Sequence, residues 1–431
     1  MDRRTFLHRF SVGSAGLAVG SAAFASLATQ ARAALKARAP GATPAAVASD
    51  ETYWREVSAL WAPAPDFVNL EYGYFHAAAL PTLEAELRSA RYINTRNSRY
   101  KRTEMRDDQE TARVALAAAV GADPEEIAIV RNATEALDTV ILGVELERGD
   151  EIVHGDLDYG SMMEAMEQRA ARHGMVLKEA QVPTNPASDE EVVAAYAAAM
   201  TPRTKLLHVT LLVNISGHVL PVRKICDMAH AAGAEVVVDA AHATGLVDTP
   251  IHDYDCDYLG TSLHKWMCSP LGMGLLFVKK AKIEKVWPLL ADTHRKKDDI
   301  RKLEHLGTRP ESAHVGLLEA VRIHNEIGGA NKLARMRYLH ARWSEAVQDL
   351  PRIVLNSPRD PRRYASVGNV GIDGVDGIDL ANYWWETHNI FTVGIRHPKV
   401  PGVRVTPGMP TPVEHVDRFV EAIHAALKHF A

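Results

Sequence analysis

The sequence predicts an α/β protein: a mostly parallel sheet between two layers of helices, followed by a smaller α+β domain. Three observations predict it. Short apolar runs alternate with helical stretches through the middle of the chain, the pattern of successive βαβ units. Some strands are apolar on both faces, above all Val236, Val237 and Val238, as in a parallel sheet covered on both sides. From roughly Ala291 the pattern shifts to long helices and then to a short strand region. A chain of 431 residues also suits a large domain plus a smaller one.

In order, DETYWREVSALWAP reads as a short amphipathic helix and FVNLEYGYFHAAALP as an extended arm with a glycine turn. From Leu83 to Val120 the spacing is helical, broken by the charged stretch SRYKRTEMRDDQE. Seven strands follow: EIAIVR, DEIVHG, VLKEAQV, TKLLHVTLL, AEVVVDA, YLGTSLHK and GMGLLFVKK. The last is expected to lie antiparallel beside its predecessor. Helical spacing fills the first four gaps, for example ATEALDTVILGV and PVRKICDMAHAAG. The C-terminal part carries ESAHVGLLEAVRIHNEIGG and ANKLARMRYLHARWSEAVQDL, and closes on HVDRFVEAIHAALKHF. No internal repeat is visible.

Composition narrows the class. Apolar residues make up 47% and charged residues 24%, ordinary for a soluble globular protein. A net charge of -5 gives no sign of a nucleic-acid partner. The body of the chain has no apolar run of the roughly 18 residues a membrane span needs. Three cysteines, Cys226, Cys256 and Cys268, are too few for a disulfide framework, and no zinc-like spacing is present, so no metal site is expected.

The N-terminus differs. MDRRTFLHRF is basic, the following stretch is small and weakly apolar, and Ala31-Arg32-Ala33 has the form of a cleavage site. Arg3-Arg4 before Phe6-Leu7 resembles a twin-arginine export signal; a disordered or membrane-resting helix is the alternative. Residues 1–33 are thus expected to be a signal, 34–50 a linker, 51–290 the large domain with its arm, and 291–431 the small domain. The mature protein is expected in the periplasm or otherwise exported, free of the membrane.

Asp239 lies at the C-terminal end of a buried strand, where open α/β sheets place ligands. A carboxylate there is costly unless something positive meets it. Lys265, in Leu263-His264-Lys265-Trp266, has apolar neighbours; desolvation would lower its pKa and expose a nucleophilic amine. Taken alone it reads more readily as a solvated lysine at a strand end. Together, the two can bracket one aromatic cofactor: an acid on the ring nitrogen and an amine on the aldehyde opposite. VRNATEALDTV reads as strand, turn and helix, with Ala133 and Thr134 at the helix N-terminus. Free N–H groups and a hydroxyl there suit a phosphate, although Thr134 could simply cap the helix.

With HVTLLVNISGHVLPVRKI, VVVDAAHATG, TSLHKW, HLGTRP and VRVTPGMPT, the chain resembles the class V aminotransferases, a branch of the fold type I pyridoxal-phosphate enzymes. Within that branch it is most similar to isopenicillin N epimerase and its relatives. The resemblance runs from the arm to the C-terminus. It implies pyridoxal 5'-phosphate as cofactor, a Schiff base on Lys265, which would also carry the substrate's α-proton, and Asp239 on the pyridinium nitrogen. His242 would lie beside the ring and its phenolic oxygen, or else pack or cap. Asn214 would face that oxygen or the substrate, or else form a turn before Gly217. Ala133, Thr134, Ser262 and His264 would bind the phosphate. Thr308 would reach the phosphate in a neighbouring subunit, so a homodimer with shared sites is implied.

In many relatives a histidine stacks on the ring; Leu157 stands in its place here, and Tyr159 in DLDYG is the candidate instead, with simple packing at the strand end as the other reading. Arg404 matches the family's carboxylate-binding arginine, and Arg396 is a second candidate or a surface ion pair. The expected activity is epimerisation or racemisation at Cα of an amino acid. Transamination and β-elimination are alternatives, as is a non-catalytic binding protein on the same fold. A cysteine desulfurase is disfavoured, because the loop where those enzymes carry their cysteine, GIRHPKVPGVR, has none.

Overall fold

Triple-valine runs and regularly spaced helix signals fold as their periodicities require. The structure, a computed structural model, describes residues 41–431. The expected export signal lies outside the described residues, as does the first part of the expected linker. In chain order the strands are β1 (Val68–Asn69), β2 (Ile127–Val130), β3 (Glu151–Gly155), β4 (Val176–Ala180), β5 (Thr204–Thr210), β6 (Glu235–Asp239), β7 (Tyr258–Ser262), β8 (Gly274–Val278), β9 (Ile353–Leu355), β10 (Gly368–Ile372), β11 (Ile390–Phe391), β12 (Val393–Ile395) and β13 (Gly402–Val405). The main sheet has seven strands in the order β2-β8-β7-β6-β5-β3-β4. All run parallel except β8, which is antiparallel to both neighbours.

Side chains of these strands divide between two cores, as a period of two demands. Val236, Val238, Leu207, Val209 and Leu259 join one apolar cluster; Val237, Leu206, Tyr258 and Leu276 join the other. The second face carries Asp239, Thr210 and Ser262 at the carboxyl ends of its strands, because they follow Val237, His208 and Gly260 by two residues. Burying such strands on both faces contributes roughly 1.5–3 kcal/mol for each large apolar side chain.

β12, β13, β10 and β9 form a separate antiparallel sheet. β1 pairs in parallel with β11, and a bridge from Glu71 to Thr406 ties the N-terminal arm to the end of β13. The helical stretch after the arm is three helices, Leu80–Arg96, Ser98–Thr103 and Met105–Val120, broken first at Asn97, whose φ is +52°. Helix Ser312–Ile327 packs on the first and third of these.

The expected linker contains a short helix, Pro44–Ala48, with Thr43 capping it. Its Val47 and Ala48 are buried, and Trp54 Nε1 donates to the Val47 carbonyl at 2.8 Å. An alanine- and proline-rich composition concealed this docking. None of the helices among the described residues is long and apolar enough to cross a membrane.

Candidate active site

A cavity of about 360 Å³ opens at the carboxyl ends of β5, β6 and β7, with β12 and β13 forming its other wall. Asp239 lies at its floor, buried, with Oδ1 accepting from Ala241 N at 2.8 Å. Lys265, in the turn after β7, brings Nζ to 2.7 Å from His242 Nε2. The first turn of helix Ala133–Gly143 forms a third side. Asn132 caps it by accepting from Glu135 N, and Ala133 N donates to Ser262 Oγ at 2.9 Å. The arm closes over the lysine turn, His76 N donating to the His264 carbonyl.

The electrostatics suit an amine that exchanges its proton near neutrality. Burial pulls the Lys265 pKa from 10.5 to about 8, with Asp239 resisting the change and Arg404 adding to it. Burial, then the Lys265 charge, holds the His242 pKa well below 6.5. His242 is therefore neutral, and the ring nitrogen facing Lys265 accepts while Nδ1 carries the hydrogen. Burial raises the Asp239 pKa, and the nearby His208 opposes that rise. Burial lowers the His264 pKa to about 4.

Most predicted site residues converge here. Ala133, Thr134, Tyr159, Asn214, Asp239, His242, Ser262, His264, Lys265 and Arg404 all line the cavity. Tyr159 stands 43% exposed, just before helix Gly160–His173. Asn214 sits in the reverse turn after β5, which closes with Val213 N bonded to the His218 carbonyl. Gly217 has φ +76° in that turn, and a Cβ there would strike the Val367 carbonyl, so glycine is required.

Thr308 is exposed and does not line the cavity of its own chain. Arg396 is a correction. Its side chain is 66% exposed and pairs with Asp376 at 3.0 Å. The cause is strand alternation: Val393 and Ile395 of β12 face the cavity, so the next residue turns away.

Two features were not anticipated. Glu71, from the arm, holds Arg404 through Nε and Nη2 at 3.0 and 2.6 Å. Behind Asp239 lies a buried pair, His208 Nδ1 to Asp158 Oδ2 at 2.7 Å, with Asp158 also accepting from Thr210 Oγ1 and Gly155 N. Burial opposes charge on both partners, yet their contact outweighs it, raising the His208 pKa and lowering that of Asp158.

These residues fit pyridoxal phosphate. His242 Nδ1 and His264 Nδ1 are buried with no partner among the described residues, and such orphans cost ~1–3 kcal/mol each until something meets them. A phenolic oxygen and a phosphate are acceptors of the right kind. The enclosed amine of Lys265 and the acid at the floor supply the other contacts such a group needs.

Comparison with known proteins agrees with this geometry. The aminotransferase class-V family pattern matches residues 80–394. Isopenicillin N epimerase of Streptomyces clavuligerus is 31% identical over 73% of this chain and 83% of its own length. The enzyme of that name from Amycolatopsis lactamdurans is 30% identical over the same shares. A probable cysteine desulfurase of Synechocystis is 31% identical over 42% of this chain and 43% of its own. Among solved structures, the cystine C-S lyase C-DES with its product cysteine persulfide superposes with a TM-score of 0.76 at 21% identity, covering 83% of this chain and 97% of that one. Apo cysteine desulfurase of Thermococcus onnurineus gives 0.74 at 22%, covering 84% and 95%.

Proposed function

This chain belongs to the class-V aminotransferase family, whose cofactor is pyridoxal phosphate, and from that premise we propose that it epimerises or racemises an amino acid, free or within a larger substrate, at Cα. The observation that carries the reading is the Lys265 amine, 2.7 Å from His242 Nε2 and poised to titrate at about 8. When bound, the cofactor withdraws electrons from Cα and so acidifies its hydrogen. Lys265, once its amine is free, is placed to take that proton, as a base with a pKa near the working pH does best; inversion requires a proton to come back to Cα on the opposite face. Asp239 presents its carboxyl group at the cavity floor, where it would pair with a protonated ring nitrogen, and that positive charge would favour the carboxylate. Arg404 offers a planar fork to the substrate carboxylate. The first turn of helix Ala133–Gly143, with Ser262 and His264, holds phosphate. The apolar wall of Leu212, Met162, Val393 and Ile395 limits water around the reacting carbon.

Desulfurase chemistry finds no support in the thiols. All three cysteines are buried and line none of this cavity. Burial raises the pKa of Cys226 to about 12 and of Cys268 to about 11, and holds that of Cys256 well above the ordinary thiol value, so no thiolate is available. The epimerase relatives also align with far more of the chain than the desulfurase does.

A homodimer sharing its sites is part of this proposal. Exposed Tyr74, Phe75, Leu271 and Trp287 offer apolar surface for a second copy to cover. So is export by the twin-arginine route, on the basis of Arg3-Arg4 and the stretch that follows.

The test is to incubate holoenzyme with a panel of amino acids in deuterated water. Deuterium at Cα with loss of chirality supports epimerisation. Accumulation of a keto acid and aminated cofactor would instead favour transamination, and pyruvate or ammonia release a lyase. No exchange with any amino acid or amino-acid-containing peptide would end the proposal.

A further inference from the structure

Arg404 does not face the cavity as a free guanidinium. A guanidinium has five N–H donors. Glu71 takes two of them side-on, Oε2 from Nε at 3.0 Å and Oε1 from Nη2 at 2.6 Å. The Asn214 carbonyl takes a third, from Nη1 at 3.3 Å. That leaves one N–H on Nη1 and one on Nη2, the number an end-on carboxylate needs.

Glu71 is not built to leave. It is 7% exposed and Arg404 6%. Its Oε1 also accepts from Tyr74 N at 2.9 Å. Its backbone bridges to Thr406, two residues past Arg404, while Tyr72 N donates to the Thr406 carbonyl. A displaced Glu71 would be a buried carboxylate stripped of three donors, which is costly.

We infer that Glu71 is a positioning residue for the substrate carboxylate. It clamps the side-on edge of Arg404, so that the end-on edge is presented to the cavity in one orientation. It also cancels the arginine's charge. Recognition then depends on the aim of two N–H groups rather than on a net positive field, and a substrate anion of the wrong geometry gains little. This rests on the reading that Arg404 binds the substrate's carboxylate. It adds that a residue from the opposite end of the chain, 333 positions away, sets how well.

The test uses two probes that attack the lysine-bound cofactor whatever the natural substrate: aminooxyacetate, which carries a carboxylate, and O-methylhydroxylamine, which does not. Second-order rate constants are read from loss of the holoenzyme's visible band. The wild type is expected to prefer aminooxyacetate, and Arg404→Gln to lose that preference. In Glu71→Gln the preference should fall about tenfold or more, with the O-methylhydroxylamine rate and the visible band unchanged, which a general loss of structure would not allow. Should Glu71→Gln not yield folded holoenzyme, Glu71→Asp carries the same test, since it keeps the charge but cannot span both donors.

If the wild type discriminates and the Glu71 variants discriminate equally or better, Glu71 is a bystander or a competitor and the inference is overturned. If the wild type shows no preference, the carboxylate role of Arg404 fails and the inference with it.

Discussion

Replacing Lys265 by methionine in the apoprotein should change stability by an amount that reverses sign with pH. The amine titrates at about 8 in the folded chain and at its ordinary 10.5 when unfolded. Between those values the folded state binds fewer protons, so wild-type stability rises with pH across that window. At about 1.4 kcal/mol per pH unit, the interval is worth ~3 kcal/mol. The penalty is fully present below pH 8 and gone above 10.5. Methionine fills a similar volume without charge and has no such slope. It also leaves His242 Nε2, now 2.7 Å from the amine, without a partner, a loss of ~1–3 kcal/mol at every pH.

The two terms give a variant more stable than wild type by up to ~2 kcal/mol at pH 7, and less stable near pH 10. Urea titrations of both apoproteins, followed by tryptophan fluorescence, measure the difference. The decisive quantity is its change between pH 7 and pH 10, expected at ~2–3 kcal/mol, which the lost hydrogen bond does not affect. A difference constant across that range would refute the claim that Lys265 carries a strained, proton-exchanging amine.

Three further outcomes follow from named contacts. Asp239→Asn removes the charge at the cavity floor; turnover should drop about 10²–10³-fold while the lysine-bound cofactor band persists, and undiminished turnover would remove Asp239 from the mechanism. Asp158→Asn strips the buried His208 of its carboxylate partner at 2.7 Å and should lower unfolding free energy by ~3–5 kcal/mol, read by urea denaturation; an unchanged midpoint would show the pair to be dispensable. Arg396→Ala breaks only an exposed pair with Asp376, so KM and the melting temperature should match wild type, and a raised KM would return Arg396 to the site.

The large sheet was legible because most of its strands are buried on both faces and so read as apolar runs between helical spacings. Val236 to Val238 is the plainest case: nothing but a covered parallel strand accommodates three valines facing two cores. The antiparallel β8 was legible too, since residues 263–273 between it and β7 hold no helix to serve as a parallel crossover. The smaller sheet was legible only as a short strand region: three of its four strands, GNVGI, VGI and GVRV, carry glycine and give no unbroken apolar run between helical spacings. The linker reading missed Pro44–Ala48 because docking of Val47 depends on Trp54 and on helix Gly329–Val347, not on local propensity.

The same division explains the site. Asp239 and Lys265 could be found from sequence because the sheet's topology sends the carboxyl ends of its parallel strands to one edge, so strand-end polar residues there are neighbours by construction. Residues whose role is to aim others have no such signal. Asp158 meets His208 across 50 positions and Glu71 meets Arg404 across 333, and neither acid differs locally from a solvated one. Arg396 shows the converse: its residue type suits carboxylate binding, and one step of strand alternation turns it to solvent. Type and motif therefore locate the groups that do chemistry, whereas the groups that set their charge and direction emerge only when the chain is closed. Glu71 and Asp158 are both carboxylates paired with a basic side chain, one at the carboxylate-binding end of the cavity and one behind its floor. Their common effect is that neither Arg404 nor His208 enters the site as an uncompensated charge, which leaves Lys265 and Asp239 to set the polarity across the reacting carbon.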